Sequence, residues 1–241
     1  MRSSTQSRSE EDVLGTTVDI CNHSFLPRFV DSGSVVVDLG ANRGEFSHAI
    51  MQRFGCRVVA VEPVEALFQV IERDPRLELL PLAVGASNPM IAMTVFQGRC
   101  ASALGPLVSD EPLTTQPVEM VTLAELRRRT GVGQIDLLKM DIEGAETELL
   151  EACSDEDLQS VMQMTVEFHE FLYPEQAEAV ARIKHRMRGL GFWVLPFSLD
   201  NTDVLFLNRK TGVGPVELAF LRSFVRYGKG IARRTRRMFE E

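Results

Sequence analysis

Asp141 and Glu143 close an apolar run that begins at Ile135, and Glu167, His169 and Glu170 close another that begins at Met162. Carboxylates and an imidazole carried to the open end of a sheet are the groups that take a proton from a hydroxyl or ligate a divalent cation. A third such place lies upstream, where Val35-Val36-Val37-Asp38-Leu39 runs into Gly40-Ala41-Asn42-Arg43-Gly44. Small residues in such a turn let the backbone approach a ligand, and the helix after it aims its free amides the same way. The spacing is Gly-x-x-x-Gly with Asn42 inside it, which differs from the G-x-G-x-x-G of dinucleotide sites. Asp38 beside the turn disfavours a pyrophosphate and favours a cofactor carrying an ammonium group, as S-adenosylmethionine does. Glu62, at the end of the next apolar run, stands where an acid accepts the hydroxyls of a ribose, and Pro63 fixes the exit of the chain.

These groups need a scaffold of buried parallel strands. Runs over residues 35–39, 57–61, 77–84, 135–140 and 162–168 are apolar and β-branched, as strands covered on both faces are. Between them, helical spacing covers residues 44–54, 63–71, 123–129, 145–152 and 174–190. Runs over 192–197 and 203–207 close the pattern as a hairpin. The expectation is an α/β doubly wound, mostly parallel seven-stranded Rossmann-like sheet with an antiparallel last strand. Residues 13–30 read as an N-terminal helix, with Ile20, Phe25, Leu26 and Phe29 for packing and a break near Pro27. Residues 89–121 break the βα rhythm and read as an inserted ribbon, whose turn-rich part at 98–116 is placed to act as a flap over the site. Residues 1–12 read as a disordered lead-in and 210–241 as a basic, helical C-terminal tail.

Together these blocks resemble the FkbM-type family of S-adenosylmethionine-dependent O-methyltransferases. The resemblance is carried by Val36-Val37-Asp38-Leu39-Gly40-Ala41-Asn42-Arg43-Gly44, by Val61-Glu62-Pro63 and above all by Ile135-Asp136-Leu137-Leu138-Lys139-Met140-Asp141-Ile142-Glu143-Gly144-Ala145-Glu146. It covers roughly residues 35–207 by order of elements, and the methyltransferase domain is read over 13–209, the N-terminal helix included. Carried over residue by residue, it implies that Asp38, Gly40, Ala41, Asn42 and Gly44 hold the methionine end of the cofactor. It implies Glu62 and Pro63 at the ribose, Ala83 and Val84 at the adenine, and Asp141 beside the methyl donor. Asp141, His169, Glu167 and Glu143 are then the candidate catalytic groups, and the implied acceptor is a hydroxyl of a small molecule, sugar or glycolipid. A Mg or Mn ion on Asp141, Glu167 or His169 is the alternative to direct acid–base work. For Glu146 and Glu148 the expected role is the ordinary one of acids in a first helical turn.

A formal net charge of −8 argues against a nucleic-acid surface, and no apolar run is long enough to span a bilayer. Cys21, Cys56, Cys100 and Cys153 lack metal-site spacing and read as free thiols, which fits a cytoplasmic protein. Arg222, Arg226, Lys229, Arg233, Arg234, Arg236 and Arg237 form a local basic cluster, a solvated helix or a contact with an anionic membrane surface. Two other readings stand beside methyl transfer: an NAD(P)-dependent oxidoreductase, and an inactive scaffold that binds the cofactor.

Overall fold

A computed structural model describes residues 17–96, 112–198 and 200–222. In chain order the elements are β1 (Val18–Ile20), β2 (His23–Phe25), β3 (Val35–Leu39), α1 (Glu45–Phe54), β4 (Arg57–Val61), α2 (Glu65–Phe68) and β5 (Leu77–Leu80). There follow β6 (Ala83–Val84), β7 (Met90–Phe96), β8 (Pro112–Val121), α3 (Leu123–Thr130), β9 (Ile135–Met140), α4 (Glu146–Ala152) and α5 (Asp155–Gln159). The last are β10 (Val161–Val166), α6 (Ala177–Gly189), β11 (Phe192–Pro196), β12 (Val204–Asn208) and α7 (Pro215–Phe220). Seven strands make one sheet in the order β11-β12-β10-β9-β3-β4-β5. Pairing is parallel from β10 through β5, and β12 runs antiparallel to both of its neighbours. The class is therefore mixed α/β around a large, mostly parallel sheet.

Alternate residues of the central strands feed two cores. Val37, Val59 and Leu138 pack with Leu126 of α3, Leu149 of α4 and Ile183 of α6. Val36, Val58 and Leu137 pack on the other face with Phe46 and Ile50 of α1, Phe25 of β2 and Leu218 of α7. Burial on both faces is why these strands are apolar throughout. β4 lies on one side of β3 and β9 on the other. The order of strands thus reverses at β3, and a crevice opens at the carboxyl ends of β3 and β9.

Three stretches differ from the sequence expectation. Residues 17–30 are not helical: β1 and β2 pair antiparallel and Pro27–Phe29 forms one 3-10 turn. Cys21 and Asn22 both have positive φ, 50° and 66°, as a two-residue hairpin turn of the primed type requires, and Asn tolerates that geometry. The run over 77–84 is two strands, because Pro81 has no N–H to continue the ladder. β5 stays on β4, whereas β6 pairs with β8 in a separate sheet of β6, β8 and β7. The ribbon is the antiparallel pair β7–β8, and the flap expected at 98–116 lies outside the described residues as far as residue 111. The arginine-rich part of the tail also lies outside them, beyond residue 222.

Candidate active site

Gly40 follows β3 directly and has φ +78°, a left-handed conformation natural to glycine. A Cβ there would sit 1.9 Å from the carbonyl oxygen of Asp141. The glycine is thus demanded first by the neighbouring strand end, which passes directly against the turn. Gly44, at φ +80°, precedes α1, and a Cβ on it would meet Ile71 and the ring of His48. It lines neither cavity described below, and its place is against Ile71 and His48.

Asp38, expected near the methionine end of the cofactor, lines neither cavity described below. It is fully buried, accepts a hydrogen bond from Ser47 Oγ at 2.7 Å, and pairs with Lys139 Nζ at 3.2 Å. Its charge instead holds Lys139, which donates to the carbonyl of Gly40 at 2.6 Å and reaches Asp141 Oδ2 at 3.8 Å. Burial opposes the charge on Lys139, but Asp38 and Asp141 outweigh it and the ammonium is held above its usual pKa. Lys139 thereby ties the glycine turn to the end of β9.

Two cavities meet at this seam. One is walled by Val61, Val64, Ala83, Val84, Met93 and Met120, with Glu62, Pro63 and Glu143 at its polar edge. The base of the β7–β8 ribbon therefore forms part of its wall. The other is lined by Cys21, His23, Ala41, Arg43, Phe46 and Lys139. Gly40, Asn42 and Asp141 line both. Glu62 accepts from the backbone N–H groups of Asn42 at 2.7 Å and Val64 at 2.9 Å. Burial pushes its carboxyl up to about 7 against those two hydrogen bonds.

Beyond the seam stands the acid cluster. Glu146 is fully buried, and its Oε1 accepts from Ile142 N at 2.9 Å, Gly144 N at 3.2 Å and His169 Nδ1 at 3.0 Å. It folds back over the loop after β9, which turns tightly because Glu143 and Gly144 both take positive φ. Sequence reasoning gave Glu146 only a helix-terminal role, whereas Glu148 is exposed as expected. His169 Nε2 lies 3.8 Å from Asp141 Oδ1 and 3.7 Å from Glu143 Oε2. Burial disfavours its charge, but the bond to Glu146 and the three surrounding carboxylates push the imidazole up to about 9. Burial would raise Asp141 too, yet Lys139, His23 and His169 hold it well below the usual carboxylate range. Glu167 is pushed up to about 7 by burial and by the Asp141 charge.

His23 is the residue that sequence reasoning missed. It arrives on β2, is buried, and sets Nε2 3.8 Å from Asp141 Oδ2 while Nδ1 lies 3.3 Å from Thr165 Oγ1. Its neighbour Ser24 is bound to Asp203, and Leu26 exchanges hydrogen bonds with the Gln163 amide. The hairpin is thereby pinned to β10 and to the start of β12. Asp141, Glu143, Glu167 and His169, four groups expected to cooperate, do come together, with His23 and Lys139 added.

The model of the Methyltransferase FkbM domain matches residues 38–194, well over half of the chain. The chain belongs to the FkbM methyltransferase family. This FkbM methyltransferase is 25% identical over 182 residues to "Methyltransferase sdnD" of Sordaria araneosa, covering 61% of this chain and 70% of that protein. Among solved structures it is similar to a chain in the Haloferax volcanii complex of the Trm112 methyltransferase activator (13% identity, TM-score 0.35, 68% of this chain and 64% of that one). It is also similar to an Anabaena variabilis antibiotic-biosynthesis protein described as a methyltransferase (15% identity, TM-score 0.30, 70% and 62%). The chain spans just under two thirds of those two solved chains. Among its described residues, no helix is long and apolar enough to cross a membrane.

Proposed function

We propose that this FkbM methyltransferase moves the methyl group of S-adenosylmethionine to a hydroxyl oxygen of a small molecule, sugar or glycolipid. The observation that carries the reading is the meeting of an apolar cavity and a polar one at Gly40, Asn42 and Asp141. An elongated cofactor with an apolar adenine and a doubly charged methionine end suits that pair. The adenine would lie among Val61, Val64, Ala83 and Val84, and the ribose hydroxyls against Glu62. The ammonium would lie in the polar cavity, and the sulfonium near the Gly40–Asp141 seam, where carboxylates favour positive charge. S-adenosylmethionine supplies an activated methyl carbon, and the chain supplies alignment and a site apart from bulk water. His169 holds its proton at neutral pH and would orient Asp141 and Glu143 rather than act as a base. Asp141 and Glu167 are then the carboxylates on which the acceptor's proton converges. The free thiols of Cys21, Cys56 and Cys153 support a cytoplasmic setting.

Calorimetry with S-adenosylhomocysteine beside NAD and NADP tests the cofactor. Saturable binding of S-adenosylhomocysteine alone is expected, and a preference for either nicotinamide cofactor would overturn the reading.

A further inference from the structure

We propose that His23, Asp141 and Glu167 form a binding site for one divalent first-row transition-metal cation. The three residues come from β2, the end of β9 and the end of β10, and a ligand atom from each lies within 4.8 Å of the others. Atoms bound to one such ion at about 2.0–2.2 Å stand roughly 3–4.3 Å apart. The 3.8 Å between His23 Nε2 and Asp141 Oδ2 falls in that range and is too long for a hydrogen bond.

Two further features point to a ligand rather than to an ordinary acid cluster. His23 is 1% exposed, and its Nδ1 is engaged by Thr165 Oγ1. A metal-binding histidine is held in this way, with one ring nitrogen on an outer partner and the other turned to the ion. The Glu167 carboxylate makes no hydrogen bond or ion pair among the described residues, although it stands close to Asp141 and His23. The charged form of a half-buried carboxylate beside a second one is disfavoured, and a cation bound between them would relieve it.

A second group, Asp141, Glu143 and His169, shares Asp141. It is the weaker candidate, because His169 already gives its Nδ1 proton to Glu146 and its charge is met by Asp141 and Glu143 at 3.8 and 3.7 Å. Lys139 Nζ stands 3.8 Å from Asp141 Oδ2, but Asp38 at 3.2 Å meets its charge. One imidazole and two carboxylates favour Mn2+, Fe2+ or Zn2+ over Mg2+ and Ca2+, which prefer oxygen alone. The site needs no methyl transfer to be tested.

Mn2+ titration of the full-length, chelator-treated protein, followed by the electron paramagnetic resonance of free Mn2+, decides the matter. One Mn2+ per chain is expected. Loss of an outer-shell partner alone weakens metal binding about 10–100-fold, so Glu167→Gln and His23→Gln should each cost at least about tenfold. Glu148→Gln, at an exposed acid, should bind as wild type. Glu167 holds no hydrogen bond among the described residues, so Glu167→Gln should melt no lower than wild type without metal, and it decides alone if His23→Gln does not fold. No binding below millimolar Mn2+, or equal binding by wild type and Glu167→Gln, overturns the site. S-adenosylhomocysteine calorimetry on the same samples reports separately on the cofactor reading.

Discussion

Glu146→Gln isolates the group that organises the loop after β9. The amide oxygen of Gln keeps an acceptor for Ile142 N and Gly144 N, so the loop retains its two backbone bonds. The charge facing His169 is lost. The new NH2 group occupies the place of Oε2, which has no hydrogen-bond partner among the described residues. Moving His169 from 6.5 to about 9 corresponds to at most ~3 kcal/mol, shared among Glu146, Asp141 and Glu143. Glu146 gives the one true hydrogen bond of the three, so the expected loss is about 1–3 kcal/mol below pH ~6.5. For a chain of this size that lowers Tm by roughly 3–10 °C. A raised histidine pKa stabilises fully below the unfolded value and loses that stabilisation as pH rises through about 9. The gap between wild type and variant, measured by urea unfolding, should therefore be widest near pH ~6 and narrow towards pH ~9.5. Glu62 titrates alike in both proteins and cancels, whereas Glu167, whose carboxyl the Glu146 charge helps to raise, is raised less in the variant, which also narrows the gap as pH rises. A gap of constant size across that range would mean that Glu146 acts through the backbone alone, and the ionic argument would be refuted.

Three other perturbations have distinct signatures. Gly40→Ala places a methyl group 1.9 Å from the Asp141 carbonyl and adds about 1–2 kcal/mol of left-handed strain. Thermal melts should show lower stability and calorimetry a loss of S-adenosylhomocysteine binding, and unchanged stability would contradict the close approach. Asp38→Asn leaves Lys139 charged and buried without its partner, so denaturant unfolding should show a loss of about 3–5 kcal/mol while the folded fraction still binds S-adenosylhomocysteine. Glu62→Gln should weaken adenosine and S-adenosylhomocysteine alike by about 1–3 kcal/mol in calorimetry, and a loss confined to the larger ligand would remove Glu62 from the ribose.

β3, β4 and β9 were legible because a strand buried on both faces must be apolar from end to end, and Gly or an acid marks where it leaves the core. The N-terminal hairpin was not, because Phe25, Leu26 and Phe29 fit helical spacing; Asn22 was the signal of a tight turn. Lys139 could have been read: a lysine inside a buried apolar strand must find a carboxylate, and Asp38 is the acid on the adjacent strand. Glu146 gave no such sign, since an acid in a first helical turn is ordinary and its reach back to His169 exists only in three dimensions. His23 was hidden for the same reason, its partners Thr165 and Asp141 being more than a hundred residues away.

The docking of the hairpin also sets an order of assembly. His23 leaves the ribosome early, yet Gln163, Thr165 and Asp203, which fix its segment, are made more than a hundred residues later. β12, which the chain reaches last in the sheet, must also insert between β10 and β11. During synthesis the glycine turn and Asp141 can therefore come together on β3, β4 and β9 well before His23 is held beside them. A nascent chain stopped short of Gln163 would carry the glycine turn and Asp141 but none of the three residues that hold the His23 segment, so the two halves of the crevice are completed at different times.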